Sequence, residues 1–94
     1  MASLVDMALS IIREQELVIG PMAWSEAAKV QGLRVQTDTK QLAFSEGDQK
    51  LVIDRLVGQY ERLFGRASQE VCKEAVAALI AQLPRTEVPV SLLS

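Results

Sequence analysis

DQKLVIDRLVGQYERLF, residues 48–64, carries the clearest helical period in the chain. Ile53, Leu56, Val57, Tyr60, Leu63 and Phe64 recur at i, i+3, i+4, i+7, i+10 and i+11. At about 100° per residue they form one stripe, with Val52 at its edge and Asp54, Glu61 and Arg62 on the far side. Asp48 or Ser45 can cap the start, and Gly65 can take a left-handed conformation just past the end. Such a rod is roughly 25 Å long, and burying its six stripe side chains is worth roughly 10 kcal/mol gross. The remaining segments must therefore cover it.

Working outward, the segment before it changes period. Leu33 and Val35 alternate with Arg34 and Gln36, and Leu42 and Phe44 alternate with Gln41 and Ala43. This predicts two short strands around Thr37–Lys40, a hairpin over about residues 33–45 with one apolar face. A lone hairpin is marginal in water and needs helices to lie against. Upstream, Leu4–Ile19 reads as a first helix with Leu4, Val5, Ala8, Leu9, Ile11, Ile12 and Ile19 on its apolar arc and Ser3 with Asp6 at its cap. Gly20-Pro21 is stop-and-restart punctuation, and a second helix is expected over Met22–Gln31, ended by Gly32.

Downstream, Ala67–Leu83 reads as a fourth helix closed by Pro84. Cys72, Ala75, Val76, Leu79, Ile80 and Leu83 face one way, Val71 and Ala78 widen the arc, and Ala77 and Ala81 leave little polar surface behind. A helix this apolar is expected to be covered on more than one side. The fold class is therefore α+β, mostly helical, a single domain over residues 1–84 ordered α-α-β-β-α-α. Residues 85–94 form an apolar tail whose Val88, Val90 and Leu92 are expected to lie against protein.

Ninety-four residues make one small domain. Its hydrophobic fraction is 49% but aromatics are only 4%, so the core is aliphatic and its last stability is expected to come from a partner. Ten basic and twelve acidic residues are mixed along the chain, with no basic block to hold a phosphate backbone, so nucleic acid is not an expected partner. No apolar run approaches a membrane span, no cleavable leader is evident, and Cys72 is the single cysteine; the expected location is cytoplasmic.

Histidine is absent, which removes Ser–His–Asp, Cys–His and His–zinc chemistry from this chain. The five glycines are isolated, so no phosphate loop is present. Glu70 and Glu74 pair at i,i+4, but Arg66 one turn earlier makes a solvated ion ladder the simpler reading. Cys72 lies on the buried arc as a small apolar filler. No catalytic residue, metal or cofactor is implied, and the chain is not expected to be an enzyme.

The feature that points to function is the back of the central helix. Leu51, Gly58 and Gly65 repeat at a seven-residue spacing, flanked by Asp54 and Glu61 on one side and Arg55 and Arg62 on the other. Glycine inside a good helix is unfavourable by about 1 kcal/mol relative to alanine, which is easier to understand if a second backbone comes close. A second copy crossing antiparallel would set acids against arginines; the competing reading is a solvated face with ordinary ion pairs. Trp24, with Met22 beside it, reads either as a core anchor or as part of a partner surface.

The expected function is thus a non-enzymatic protein-interaction module, a homodimer acting as a small adaptor or regulatory subunit. One alternative is a DNA-binding regulator using helix 22–31 and the hairpin, with Lys29, Arg34 and Lys40 on phosphates. The helix-turn-helix pattern over Ser25–Leu33 is weak, because the next helix should be apolar at positions occupied by Asp38 and Gln41. A third reading is a small-ligand sensor with a pocket lined by Trp24, Phe44, Tyr60 and Phe64.

Overall fold

A computed structural model describes residues 4–45 and 48–81. Its elements are α1 (Leu4–Ile19), α2 (Met22–Ala27), β1 (Leu33–Gln36), β2 (Gln41–Phe44), α3 (Gln49–Phe64) and α4 (Arg66–Ile80). The protein is an α+β domain, mostly helical, with one two-stranded antiparallel hairpin between two helical pairs. Ser3, Leu83 and the tail residues Val88, Val90 and Leu92 lie outside the described residues.

The period of α1 explains its central place. Met7, Ala8, Ile11 and Ile12 are spaced along one face and are fully buried. That helix packs against α2, α3, α4 and β2, whereas α3 packs against α1, α2 and α4. The chain is therefore organised around α1 as much as around the stripe of α3. Along α3 the burial follows the period through Val52, Ile53, Leu56, Val57 and Tyr60, then stops: Leu63 is 44% exposed and Phe64 half-buried. Tyr60 already reaches the start of α2, donating its hydroxyl to the carbonyl of Ala23 at 2.6 Å. One turn later coverage is only partial, with Phe64 packed against the core and Leu63 open to solvent.

Local chemistry sets the ends. The Asp48 carboxylate accepts from the Lys50 amide at 2.9 Å and caps α3, and its φ of −76° and ψ of 117° are those of a cap residue. Gly65 closes it with φ of 86° and ψ of −172°, an extended positive-φ conformation open to glycine and strained for other residues, and its amide donates to the Glu61 carbonyl at 2.8 Å.

Helix α2 is shorter than its sequence suggests, six residues rather than the ten of Met22–Gln31. The amides of Lys29 and Val30 bond three residues back, to Glu26 and Ala27, tightening the chain into turns that deliver Leu33 to β1. Helix four likewise starts at Arg66 rather than Ala67 and ends at Ile80. One face of it is covered, with Cys72 and Val76 buried and Val71, Ala75, Leu79 and Ile80 half-buried, while Ala77 is exposed. Among the described residues it is not enclosed on several sides.

In the hairpin Leu33 pairs with Phe44 and Val35 with Leu42, so all four apolar side chains share the face turned to the helices. Arg34, Ala43, Gln36 and Gln41 alternate onto the exposed face. Thr37–Lys40 makes the turn, and Lys40 takes φ of 56°, which the sequence does not advertise because the position carries neither Gly nor Asn. Its ammonium reaches Glu16 on α1 at 2.9 Å and ties the tip of the hairpin down.

Two stability outcomes follow from these contacts. Tyr60→Phe strips the buried hydroxyl from the Ala23 carbonyl and should cost about 1–1.5 kcal/mol, read from the urea midpoint. Lys40→Gly relieves a strained backbone while giving up an exposed ion pair and should leave the thermal midpoint unchanged or raised. Lys40→Val keeps the strain with a β-branched side chain and should lower stability by at least about 1 kcal/mol.

Candidate functional site

The outer line of α3 is open to solvent as its sequence implies. Leu51 is 53% exposed, Arg55, Gly58, Glu61 and Arg62 are exposed, and Asp54 is half-buried. A Cβ added to Gly58 would meet nothing within 4 Å. No packing within the described residues therefore requires glycine at this position. Beside it lies a shallow hollow of 260 Å³ between α3 and the end of α2, lined by Lys29, Val30, Gln31, Arg55, Gln59 and Arg62 as well as Gly58.

A continuous polar chain runs along this hollow. Lys29 pairs with Glu26 at 3.0 Å, Gln59 donates to the other Glu26 oxygen at 2.9 Å, and Arg62 donates to the Gln59 side-chain oxygen at 2.7 Å. Arg55 donates to the Gln31 carbonyl at 3.3 Å. Lys29, then Gln59, hold the Glu26 carboxyl below its ordinary range. These contacts dock α2 on α3 antiparallel, since Tyr60, Gln59 and Arg55 meet Ala23, Glu26 and Gln31 in turn.

Trp24 is 2% exposed, so it belongs to the core rather than to a partner surface. In a six-residue helix with two buried alanines, the indole supplies the bulk that holds α2 in place. Its N–H is buried without closing a hydrogen bond of good geometry, although it lies close enough to Glu16 to help Lys40 lower that carboxyl. Tyr60 is fully buried too, and Phe44 and Phe64 sit half-buried at the edge of the core. The four aromatics expected to line a ligand pocket thus serve packing. The hollow on the hairpin, 120 Å³, is lined instead by Arg34, Gln36, Gln41, Leu42 and Ala43. Of the cations proposed for phosphates, Lys29 and Lys40 already hold carboxylates.

Cys72 is fully buried, and burial pushes its thiol up to about 11. The Gln15 amide nitrogen donates to its sulfur at 3.4 Å and to the Ser68 carbonyl at 3.0 Å. Gln15 lies on the core side of α1 at 0% exposure, where the sequence reading placed only apolar residues. Among the described residues no three acidic or sulfur ligands converge to hold a metal ion.

Sequence reasoning set Met22 beside a possible partner surface but missed the exposed apolar residues that accompany it. Leu17, Val18, Met22 and Leu63 are 80%, 65%, 46% and 44% exposed. The Tyr60–Ala23 and Gln15–Ser68 contacts bring the α1–α2 corner beside the α3–α4 corner, so all four side chains share one end of the molecule. A signal for it existed. Leu17 is a large apolar residue opposite the apolar arc of α1, a position normally given to polar side chains, whereas Val18 lies at the edge of that arc.

Comparison of this chain with protein-family models, with curated proteins and with solved structures gives no match.

The buried thiol and phenol give a pH signature. Both groups titrate higher in the folded than in the unfolded chain, Tyr60 chiefly through desolvation. Above about pH 9 the unfolded state therefore binds fewer protons than the folded state, and stability falls with rising pH. Urea midpoints should stay flat between pH 6 and 8 and decline from about pH 9. The Tyr60→Phe/Cys72→Ala double variant should lose most of that slope.

Proposed function

We propose that this domain is a non-enzymatic protein-interaction module, working as a homodimer and serving as a small adaptor or regulatory subunit in the cytoplasm. The observation that carries the reading is the apolar end formed by Leu17, Val18, Met22 and Leu63. Small monomeric domains rarely leave several large aliphatic side chains together in water unless another protein covers them. An aliphatic core with few aromatic anchors fits the same reading, because it gains stability by mass action from a bound partner. Between α2 and α3 the surface is polar and internally paired through the Lys29–Glu26–Gln59–Arg62 chain, which suits a docking scaffold better than a reactive site.

The test combines particle mass with cross-linking. The purified chain should sediment at twice its 10.3 kDa, and a photo-reactive residue at position 17 should give a discrete adduct with a larger protein of the native cytosol. Val18→Lys/Met22→Lys should abolish the adduct while changing stability by less than about 0.5 kcal/mol, because both side chains are exposed. A 10.3 kDa particle that forms no adduct overturns the proposal.

A further inference from the structure

We infer that the hollow between α2 and α3 docks an acidic segment of a partner protein, with Arg55 and Arg62 as its two anchors. The inference rests on the interaction-module reading above and adds a second contact, away from the apolar end, with the chemistry it takes. The charge of the hollow is one-sided. Lys29, Arg55 and Arg62 line it, no described lining residue is acidic, and Asp54 and Glu61 fall on the far side of Gly58. Lys29 already holds Glu26, whereas both guanidiniums bond to uncharged acceptors, Arg55 to the Gln31 carbonyl and Arg62 to the Gln59 side chain. A guanidinium has five N–H donors in a planar fork, so each can still take a carboxylate.

Spacing selects an elongated anion over a compact one. Arg55 and Arg62 are seven residues apart on α3, about 10 Å along its axis. Their hydrogen bonds hold one at Gln31, past the end of α2, and the other at Gln59, which itself reaches back to Glu26 within α2. A single phosphate is too small to bridge them with those bonds in place. A peptide in the polyproline II conformation has three residues per turn and rises about 3.1 Å per residue, which sets carboxylates at i and i+3 about 9 Å apart on one face. Between the anchors lies Gly58, exposed and with nothing within 4 Å of an added Cβ. The chain's own packing does not require glycine there, but a side chain would fill the space a docked backbone needs. Nucleic acid is disfavoured, because its phosphates would pass the carboxylates of Asp54 and Glu61 on the same helix of a chain with net charge −2.

Titration of the isotope-labelled chain with a short peptide, Glu-Pro-Pro-Glu between glycines, tests this. Amide shifts should saturate and centre on Gln31, Arg55, Gly58 and Arg62, and added salt should weaken the binding. Serines in place of both glutamates, or Arg55→Gln/Arg62→Gln in the protein, should weaken it at least about tenfold with unchanged helical circular dichroism. Gly58→Leu, which clashes with nothing in its own chain, should weaken it at least about fivefold with both arginines in place. Binding that Gly58→Leu leaves unchanged is diffuse charge attraction and overturns the hollow as a site. Equal shifts from inorganic phosphate at matched ionic strength, or tighter binding of a single-stranded oligonucleotide, overturn the acidic peptide as occupant. Absence of any shift with the peptide, while position 17 still cross-links a partner, refutes this surface and leaves the interaction module standing. Loss of both overturns both.

Discussion

The buried face of α1 is the constraint on which the other elements depend. Met7, Ala8, Ile11 and Ile12 are removed from water by α2, α3, α4 and the hairpin together, and no one of those elements could cover them alone. Each partner is itself incomplete. The hairpin has one apolar face four side chains wide, α2 has six residues, and α4 is apolar along one side. The domain exists because these partial faces close around a single aliphatic rod.

Specificity inside that core comes from a few polar atoms. The Tyr60 hydroxyl fastens α3 to α2, and the Gln15 amide fastens α1 to the first turn of α4. A buried polar group left unpaired is costly, so these contacts select one arrangement of helices where aliphatic packing alone would tolerate several. The hairpin is placed differently. Its register is set by alternation, and its tip is held by Lys40 on Glu16 at the expense of a left-handed backbone.

The outside of the molecule divides into two kinds of surface. Between α2 and α3 the charges are matched within the chain, which leaves the outer line of α3 with an ordered array of acids and arginines around a bare backbone. At the opposite kind of surface, the end carrying Leu17, Val18, Met22 and Leu63, aliphatic side chains stand in water. The first is charged and polar, the second aliphatic.

Much of this architecture was legible in residue order because its causes are local. Helical period marked α1 from Leu4 to Ile19, Asp48 and Gly65 marked the ends of α3, and alternation of Leu33, Val35, Leu42 and Phe44 gave the hairpin and its inward face. Along the α3 line, the exposure of Arg55, Gly58, Glu61 and Arg62 followed from the same arithmetic. Period, capping and alternation act over a few residues and need no knowledge of neighbours. What only the tertiary structure decided was where coverage runs out. Period put Leu63 on the stripe of α3, yet it is 44% exposed while Phe64 beside it packs on the core; it put α2 through Gln31, yet the path into β1 stopped it at Ala27; it placed Gln15 nowhere, yet α4 buried it. Burial of a given side chain depends on the ends and angles of helices distant in sequence, and those are settled only when the faces close on one another.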